Sequence, residues 1–427
     1  MTTDFLKDLH LRGLIHQSTD RNSLHEWLNQ SPRSVYAGFD PTADSLHVGH
    51  LVAVVMLQRV AAAGHVPIAL VGGATGMIGD PSGRSAERNL LSKDQLAANV
   101  AGIRGQIESL LLDRGPKVIV VNNYDWMSGI NYLEFLRDVG KHVPLATMLA
   151  KDSVKSRLDR PDCGLSFTEF SYMLLQAWDF VHLLDVFDCR VQIGGSDQWG
   201  NITAGIDLAR RLRSTEVFGL TCPLLTKSDG TKMGKTSSGA IWLDPKRTSP
   251  YRFYQYWINL DDADAAICLR RLTELPIEEV ESLDELGIKE PEKRASQRRL
   301  AEVLTELVHG SNGFDSAKQA TEIFFGGKIG SVDDETLGEI FADVPSKEYS
   351  RSVLDGDGLP LIEAIEATGL AASRSVARRA IEQGGIYVNN VRVTEVSHRL
   401  SPNDLAGQKT MVLRSGKKSY SLLRFIP

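Results

Sequence analysis

Five short apolar blocks separated by helix-length amphipathic stretches fill the first 245 residues and leave few architectures open. The blocks are Val35 to Phe39, Pro67 to Val71, Lys117 to Val121, Arg190 to Ile193 and Gly219 to Leu225. Between them Leu51 to Ala63, Leu91 to Leu112, Thr168 to Leu184 and Trp199 to Leu212 repeat apolar residues at helical spacing. Strands buried on both faces read as continuous apolar runs, and parallel neighbours need a crossover of helical length. The rhythm predicts an α/β domain on a parallel sheet over residues 1–245.

A chain of 427 residues exceeds one hydrophobic core. From Ser249 to about Ala342 the pattern turns helical and charged, which predicts a helical domain over 246–345. Pro345 to Pro360 holds Ser346, Ser350, Gly356 and Gly358, and residues 346–356 read as a linker. Residues 357–427 read as a small α+β module, with helices at Leu361 to Thr368 and Ser373 to Gln383 and short strands within Ile386 to Val393 and Lys409 to Leu423.

The net charge of −6 is uneven: residues 351–427 carry +4 and the first 350 carry −10. A basic tail on an acidic body fits a polyanion-binding module or a solvated surface. Cys163, Cys189, Cys222 and Cys268 lie far apart with no Cys-x-x-Cys pair, which argues against a structural zinc site and a disulfide framework. Met1 to Leu14 lacks the apolar run of a signal peptide and no segment is long and apolar enough to span a bilayer, so the expected compartment is the cytoplasm with no membrane partner.

Two motifs carry chemistry. His47-Val48-Gly49-His50 precedes the helix expected at Leu51, where backbone N–H groups and the helix dipole favour an anion. Gly49 leaves room for a ligand. A lone His-x-x-His is more often two surface residues at a helix start. The loop Asp229 to Gly239 is polar, glycine-rich and holds Lys232 and Lys235, whose mobile charges suit a polyphosphate; by itself it is equally a solvated turn. Their order at opposite ends of one α/β domain is what gives the pair weight.

His47 to His50 resembles the His-Ile-Gly-His motif of class I aminoacyl-tRNA synthetases, and Lys232-Met233-Gly234-Lys235-Thr236 resembles their Lys-Met-Ser-Lys-Ser loop, with Gly234 and Thr236 in place of serines. Gly72 to Arg84 lacks the Gly-Lys-Ser/Thr ending of a P-loop. That string, continuing through Arg88, resembles the tyrosine-specific branch, and the resemblance makes Arg84 and Arg88 cations for the ATP phosphates. Gln192 to Asn201 sits where a strand gives way to a helix, the edge at which open α/β sheets bind ligands. There Gly194 and Gly195 would admit a ribose and Asp197 would accept from its hydroxyls.

Choosing tyrosine over phenylalanine requires a buried group paired with the phenol. Tyr36 and Asp179 match the family's residues for that task. By the same resemblance Tyr172, Gln176 and Asp80 would hold the substrate ammonium, with Gln198 and Asn123 nearby, while Gly38, Asp40, Thr42, Gly49, Gln192 and Lys235 would lie along the adenylate. Ala37 and Ala53 stand where some relatives carry a polar group near the ribose. Arg374, Arg378 and Arg379, before Gly384 to Asn390, resemble an S4-type RNA-binding module.

The resemblance implies a Rossmann-like catalytic domain, an anticodon-side helical domain and an S4-like tail. It implies ATP with Mg²⁺ as substrate, no tightly bound cofactor or structural metal, L-tyrosine and tRNA(Tyr) as partners, and a homodimer. Catalysis would be positioning and charge stabilisation by His47, His50, Lys232, Lys235 and Thr236. The competing readings are a tryptophan-specific relative, a small-molecule adenylyltransferase and a non-enzymatic RNA-binding protein.

Overall fold

The computed structural model describes residues 4–82, 91–112, 117–151, 154–155, 165–236, 239–327, 329, 332–342, 344–416 and 419–427, with Lys235 and Thr236 in backbone only. The chain divides into two compact units, residues 1–248 with 256–308, and 249–255 with 309–427.

The first unit is built on six strands: β1 (Gln17–Ser18), β2 (Ser34–Phe39), β3 (Val66–Val71), β4 (Ile119–Asn122), β5 (Val191–Gly195) and β6 (Phe218–Cys222). Their order is β1-β6-β5-β2-β3-β4, with β1 antiparallel to β6 and every other pair parallel. The expected strands are present, with ends shifted by a few residues. Helix Leu51–Ala62 returns β2 to β3, and helix Trp199–Arg213 returns β5 to β6. Because β2 passes to one side and β5 to the other, the chain direction switches between them and a crevice opens at their carboxyl ends. Helix Phe167–Phe187 packs beneath it, burying Met173, Ala177, Phe180 and Val181 with Tyr36 and Ile68.

The helical stretch read as one domain over 246–345 is shared between the two units. Helices Asp262–Leu272 and Ile277–Lys289 belong to the first and Asp334–Ile340 to the second. The long helical run Ala295–Phe324 breaks at Gly310, whose φ of 72° lies outside helical space, beside the division. Helical periodicity reports which face is apolar and not which core it meets.

In the second unit the segment read as a linker is a strand. β9 (Ser346–Ser350) runs parallel to β15 (Ser419–Ile426) at the edge of a five-stranded sheet that also holds β11 (Ile386–Val388), β12 (Val391–Val393) and β14 (Thr410–Ser415), in the order β12-β11-β14-β15-β9. Its residues are nearly all exposed, so an edge strand of polar side chains has the composition of a loop. β11 (Ile386–Val388) and β12 (Val391–Val393) form a hairpin closed by Asn389 and Asn390, both at positive φ, the conformation a tight two-residue turn demands. Two apolar clusters lie on this sheet. One joins Ala377, Ile381, Ile386 and Met411; the other joins Ile323, Ile340 and Phe341 to Val412, Tyr420 and Leu422.

Candidate active site

A cleft of about 350 Å³ opens at the carboxyl ends of β2 and β5. It gathers Tyr36, Gly38, Asp40, Thr42, His47, Gly49, His50, Asp80, Tyr172, Gln176, Asp179, Gln192, Gly194, Gly195, Asp197, Gln198 and Lys232 from segments up to about 200 residues apart. Ala37 and Ala53 line it as well, so those positions present methyl groups to a ligand. Arg84 and Arg88 lie outside the described residues, as do the side chains of Lys235 and Thr236.

At one end the two histidines cap a single turn, Val48–His50. His47 Nδ1 accepts from the Gly49 N–H at 3.0 Å, and His50 Nδ1 accepts from the His47 N–H at 3.1 Å. The imidazoles thus use N–H groups that the sequence left for an anion. A ring whose Nδ1 accepts must carry its proton on Nε2, so each offers an Nε2–H donor. The rings stack at 4.0 Å. Burial, assisted by His47, lowers the His50 pKa to about 3 and keeps that ring neutral. Gly49 is needed here for a different reason than ligand access, since a Cβ would stand 2.9 Å from His47 Cε1.

The lysine loop lies against this turn. Val48 donates its N–H to Ile241 O and Ile241 donates to Gly234 O, both at 2.9 Å. Gly234 sits at φ +79°, and a Cβ on it would come 3.1 Å from Val48 Cβ, so glycine satisfies both backbone and packing where other loops carry serine. The Gly234 N–H donates to the Tyr256 hydroxyl at 2.9 Å, and Met233 is buried against Cys268.

At the far end Tyr36 and Asp179 are about 1% exposed. Asp179 accepts from Asn123 Nδ2 at 3.0 Å and from the Trp126 indole N–H at 2.9 Å. Burial, with Asp40 adding to it and these two bonds opposing it, pushes the carboxyl up to about 8. The Tyr36 hydroxyl is buried without a hydrogen-bond partner among the described residues, and burial raises its pKa well above that of an ordinary phenol. A buried unpaired hydroxyl beside a buried carboxyl calls for a ligand with one polar atom at the end of an apolar body.

Asn123 is fully buried behind Asp179, where it also donates to Thr75 Oγ1 and accepts from the Ala74 N–H. It supports the carboxyl and does not line the cleft near an ammonium. Asp40 accepts from Tyr172 Oη at 2.8 Å and Thr75 Oγ1 at 2.9 Å. Gln176 donates to Gln198 Oε1 at 3.3 Å, and Gln198 donates to Asp80 Oδ2 at 2.7 Å. Among the described residues no donor reaches the buried Gln176 Oε1 or the buried Gln192 Oε1. Acceptors without donors beside a carboxylate favour a cationic or N–H-bearing group.

On the β5 side burial raises the Asp197 pKa, Lys232 lowers it and Asp80 raises it, so the loop lysine is felt at this carboxylate. A Cβ on Gly195 would lie 2.7 Å from Asp197 Oδ1, and one on Gly194 would lie 3.0 Å from Gln198 Cβ. These glycines admit the neighbouring side chains as well as any ligand. Gly72 and Gly73 do likewise for Asp40 and Asn122.

In the second unit Arg378 and Arg379 are exposed on helix Arg374–Glu382, whereas Arg374 is paired with Glu363 and Glu366 at 3.1 Å. The guanidinium is exposed and its charge is shared with these two carboxylates. Sequence reading missed Trp126, Thr75 and Trp242. Trp126 lies within a turn after β4 and acquires its role only through Asp179, 53 residues away.

A family profile described as tRNA synthetases class I (W and Y) matches residues 28–326, and one described as a tyrosine–tRNA ligase SYY-like C-terminal domain matches residues 336–423. The chain is 56% identical over 424 residues to a tyrosine–tRNA ligase of Rhodopirellula baltica, covering 99% of this chain and 97% of that one. It is 47% identical over 426 residues to one of Geobacillus stearothermophilus, covering 99% and 100%. Among solved structures, a C-terminally truncated mitochondrial tyrosyl-tRNA synthetase of Aspergillus nidulans superposes with a TM-score of 0.68 at 34% identity, over 75% of this chain and 94% of that one.

Proposed function

The chain belongs to the class I tRNA synthetases of the tyrosine and tryptophan type, its activity is that of a tyrosine–tRNA ligase, and we propose how the cleft divides that work among its residues. Tyrosine lies with its ring against Tyr36 and Ala37, its phenol between the Tyr36 hydroxyl and Asp179, and its ammonium at Asp80, Gln176 and Tyr172. Gln198 orients Asp80 and Gln176; Asn123 and Trp126 orient Asp179. ATP lies along Gly38, Asp40, Thr42, Gly49 and the Gln192–Asp197 segment, entering with Mg²⁺ as part of the substrate.

The tyrosine carboxylate attacks the α-phosphorus, the bond to the bridging oxygen breaks, and pyrophosphate leaves with the electron pair. Charge grows on that leaving group. The Nε2–H groups of His47 and His50 and the ammonium group of Lys232 meet it, with Lys235, Thr236, Arg84 and Arg88 adding to them. The terminal adenosine hydroxyl of tRNA(Tyr) then attacks the mixed anhydride and releases AMP. No covalent enzyme intermediate is required.

The observation that carries the tyrosine assignment is the buried Tyr36 and Asp179 pair at the closed end of the cleft. Exposed Tyr132, Leu133, Leu136, Leu145 and Phe167 form apolar surface on the first unit that a second copy would cover, supporting a homodimer. Arg378 and Arg379 support an S4-like RNA-reading role for the second unit, with the helices before it on the anticodon side.

The test is label exchange between pyrophosphate and ATP with His47→Ala and Lys232→Ala. Each should lower kcat while leaving tyrosine affinity near the parent value. Undiminished exchange in both would remove the phosphate-side assignment.

A further inference from the structure

The carboxyl-terminal arm of the lysine loop forms a small antiparallel pairing with the histidine turn. Leu243 donates its N–H to Leu46 O, Val48 donates to Ile241 O, and His47 bridges Trp242 between them. The Trp242 ring meets the His47 imidazole edge to face, with centroids 6.0 Å apart and planes at 62°. On Trp242 lies the Arg247 guanidinium, 3.5 Å from the ring centroid, and Arg247 is ion-paired to Asp44 at 2.6 Å. The Trp242 backbone N–H donates to Thr248 Oγ1 at 3.0 Å. Carboxylate, guanidinium, indole and the two imidazoles follow one another in a single series of contacts, ending on His50.

His47 Nδ1 accepts from the Gly49 N–H and the ring lies against His50, and a tilt of the ring about that hydrogen bond would change the direction of Nε2. A planar neighbour against its edge removes the tilt. Cation–π contact on the other side gives Trp242 a preferred plane, and partial exposure of Arg247 makes that contact weaker than a buried one. The same arm is joined to Gly234 through the Ile241 N–H, so the position of the lysine loop reaches the histidine ring by backbone and by side chain.

We propose that Trp242 is a positioning residue for ATP activation, aiming the His47 Nε2–H through this edge contact, with Arg247 and Asp44 holding the indole. The inference rests on the reading of His47 as a phosphate-side donor. It assigns no new chemistry to Trp242, which acts only through the imidazole.

The experiment is pyrophosphate–ATP exchange at saturating tyrosine with Trp242→Ala, Trp242→Phe, Arg247→Ala and His47→Ala, and with Trp242→Ala and Arg247→Ala each combined with His47→Ala. Trp242→Ala should lower kcat roughly ten- to a hundredfold, the scale of a misplaced catalytic group, with KM for tyrosine unchanged. Trp242→Phe, which keeps an aromatic edge, should recover most of the loss. In the His47→Ala background the further cost should shrink to less than about threefold, because groups acting through one another are not additive. Should Trp242→Ala fail to fold, Arg247→Ala serves in its place, since it strips the stack and leaves the backbone pairing; its smaller loss should also vanish without His47. Losses of equal size with and without His47, or full rates in both single variants, would overturn the proposal. A parental rate in His47→Ala would instead sink the phosphate-side reading, and this inference with it.

Discussion

Trp126 donates its indole N–H to Asp179 at 2.9 Å while its ring stacks on His182 at 4.3 Å and 15°. The stack fixes the plane of the indole, and the indole fixes one carboxylate oxygen. The other oxygen is held by Asn123. A buried carboxyl so constrained presents a set direction to a phenol, which is how a small pocket tells a hydroxyl from a hydrogen.

Trp126→Phe keeps the stack and removes the donor. Leaving a buried acceptor unsatisfied costs about 1–3 kcal/mol, so KM for tyrosine should rise roughly five- to a hundredfold, with KM for ATP little changed. Steady-state exchange with each substrate varied in turn reads both. An unchanged KM for tyrosine would mean that Asp179 is aimed by something else.

Asp179 also makes stability depend on pH. Its folded value of about 8 stands above the ordinary 3.8, so the folded chain holds this proton more tightly than the unfolded chain. The stabilisation is fully present below 3.8 and is lost as pH rises through about 8. Asp179→Asn is neutral throughout and lacks this slope. Melting temperatures followed from about pH 5 to about pH 9 should show the parent losing stability relative to Asp179→Asn; parallel curves would place the carboxyl in its ordinary range.

Gly234→Ala puts a side chain at φ +79° and against Val48. The left-handed penalty of about 1–2 kcal/mol should fall on the loop arrangement and lower kcat for activation by roughly tenfold, leaving tyrosine affinity intact. Stopped-flow adenylate formation measures the step, and an unaltered rate would show that the arrangement in contact with Val48 is not the working one.

Arg378→Glu with Arg379→Glu reverses two exposed charges without touching a core. Pyrophosphate exchange should be unchanged and KM for tRNA should rise at least about tenfold, more steeply at low salt. Truncation after Tyr349, which cuts within the second unit, is a poorer test. Val412, Tyr420 and Leu422 cover Ile323, Ile340 and Phe341, so the cut would expose a core.

Much of this was legible in the sequence because parallel strands buried on both faces leave unbroken apolar blocks, and because the two signature motifs are local strings. Gly49 and Gly234 were visible as glycines, yet the reason for each, the His47 ring and the Val48 side chain, is a contact across space. β9 escaped because an exposed edge strand of Ser, Lys and Glu has no apolar alternation to report it. The contact of Asn123 with Asp179 is not legible in the sequence, since chain spacing gives no direction for a side chain. Arg374 read as a phosphate ligand because Glu363 and Glu366 sit on the preceding helix, too far along the chain for local charge patterning to pair them.

The most direct test of the cleft's assignment compares amino acids in pyrophosphate–ATP exchange by the full-length chain with Mg²⁺, alongside Asp179→Ala. Exchange should depend on tyrosine, be absent with tryptophan and with phenylalanine at the same concentration, and collapse with tyrosine in Asp179→Ala. Exchange supported by tryptophan and not by tyrosine, or a tyrosine rate that survives loss of the Asp179 carboxyl, would contradict the account.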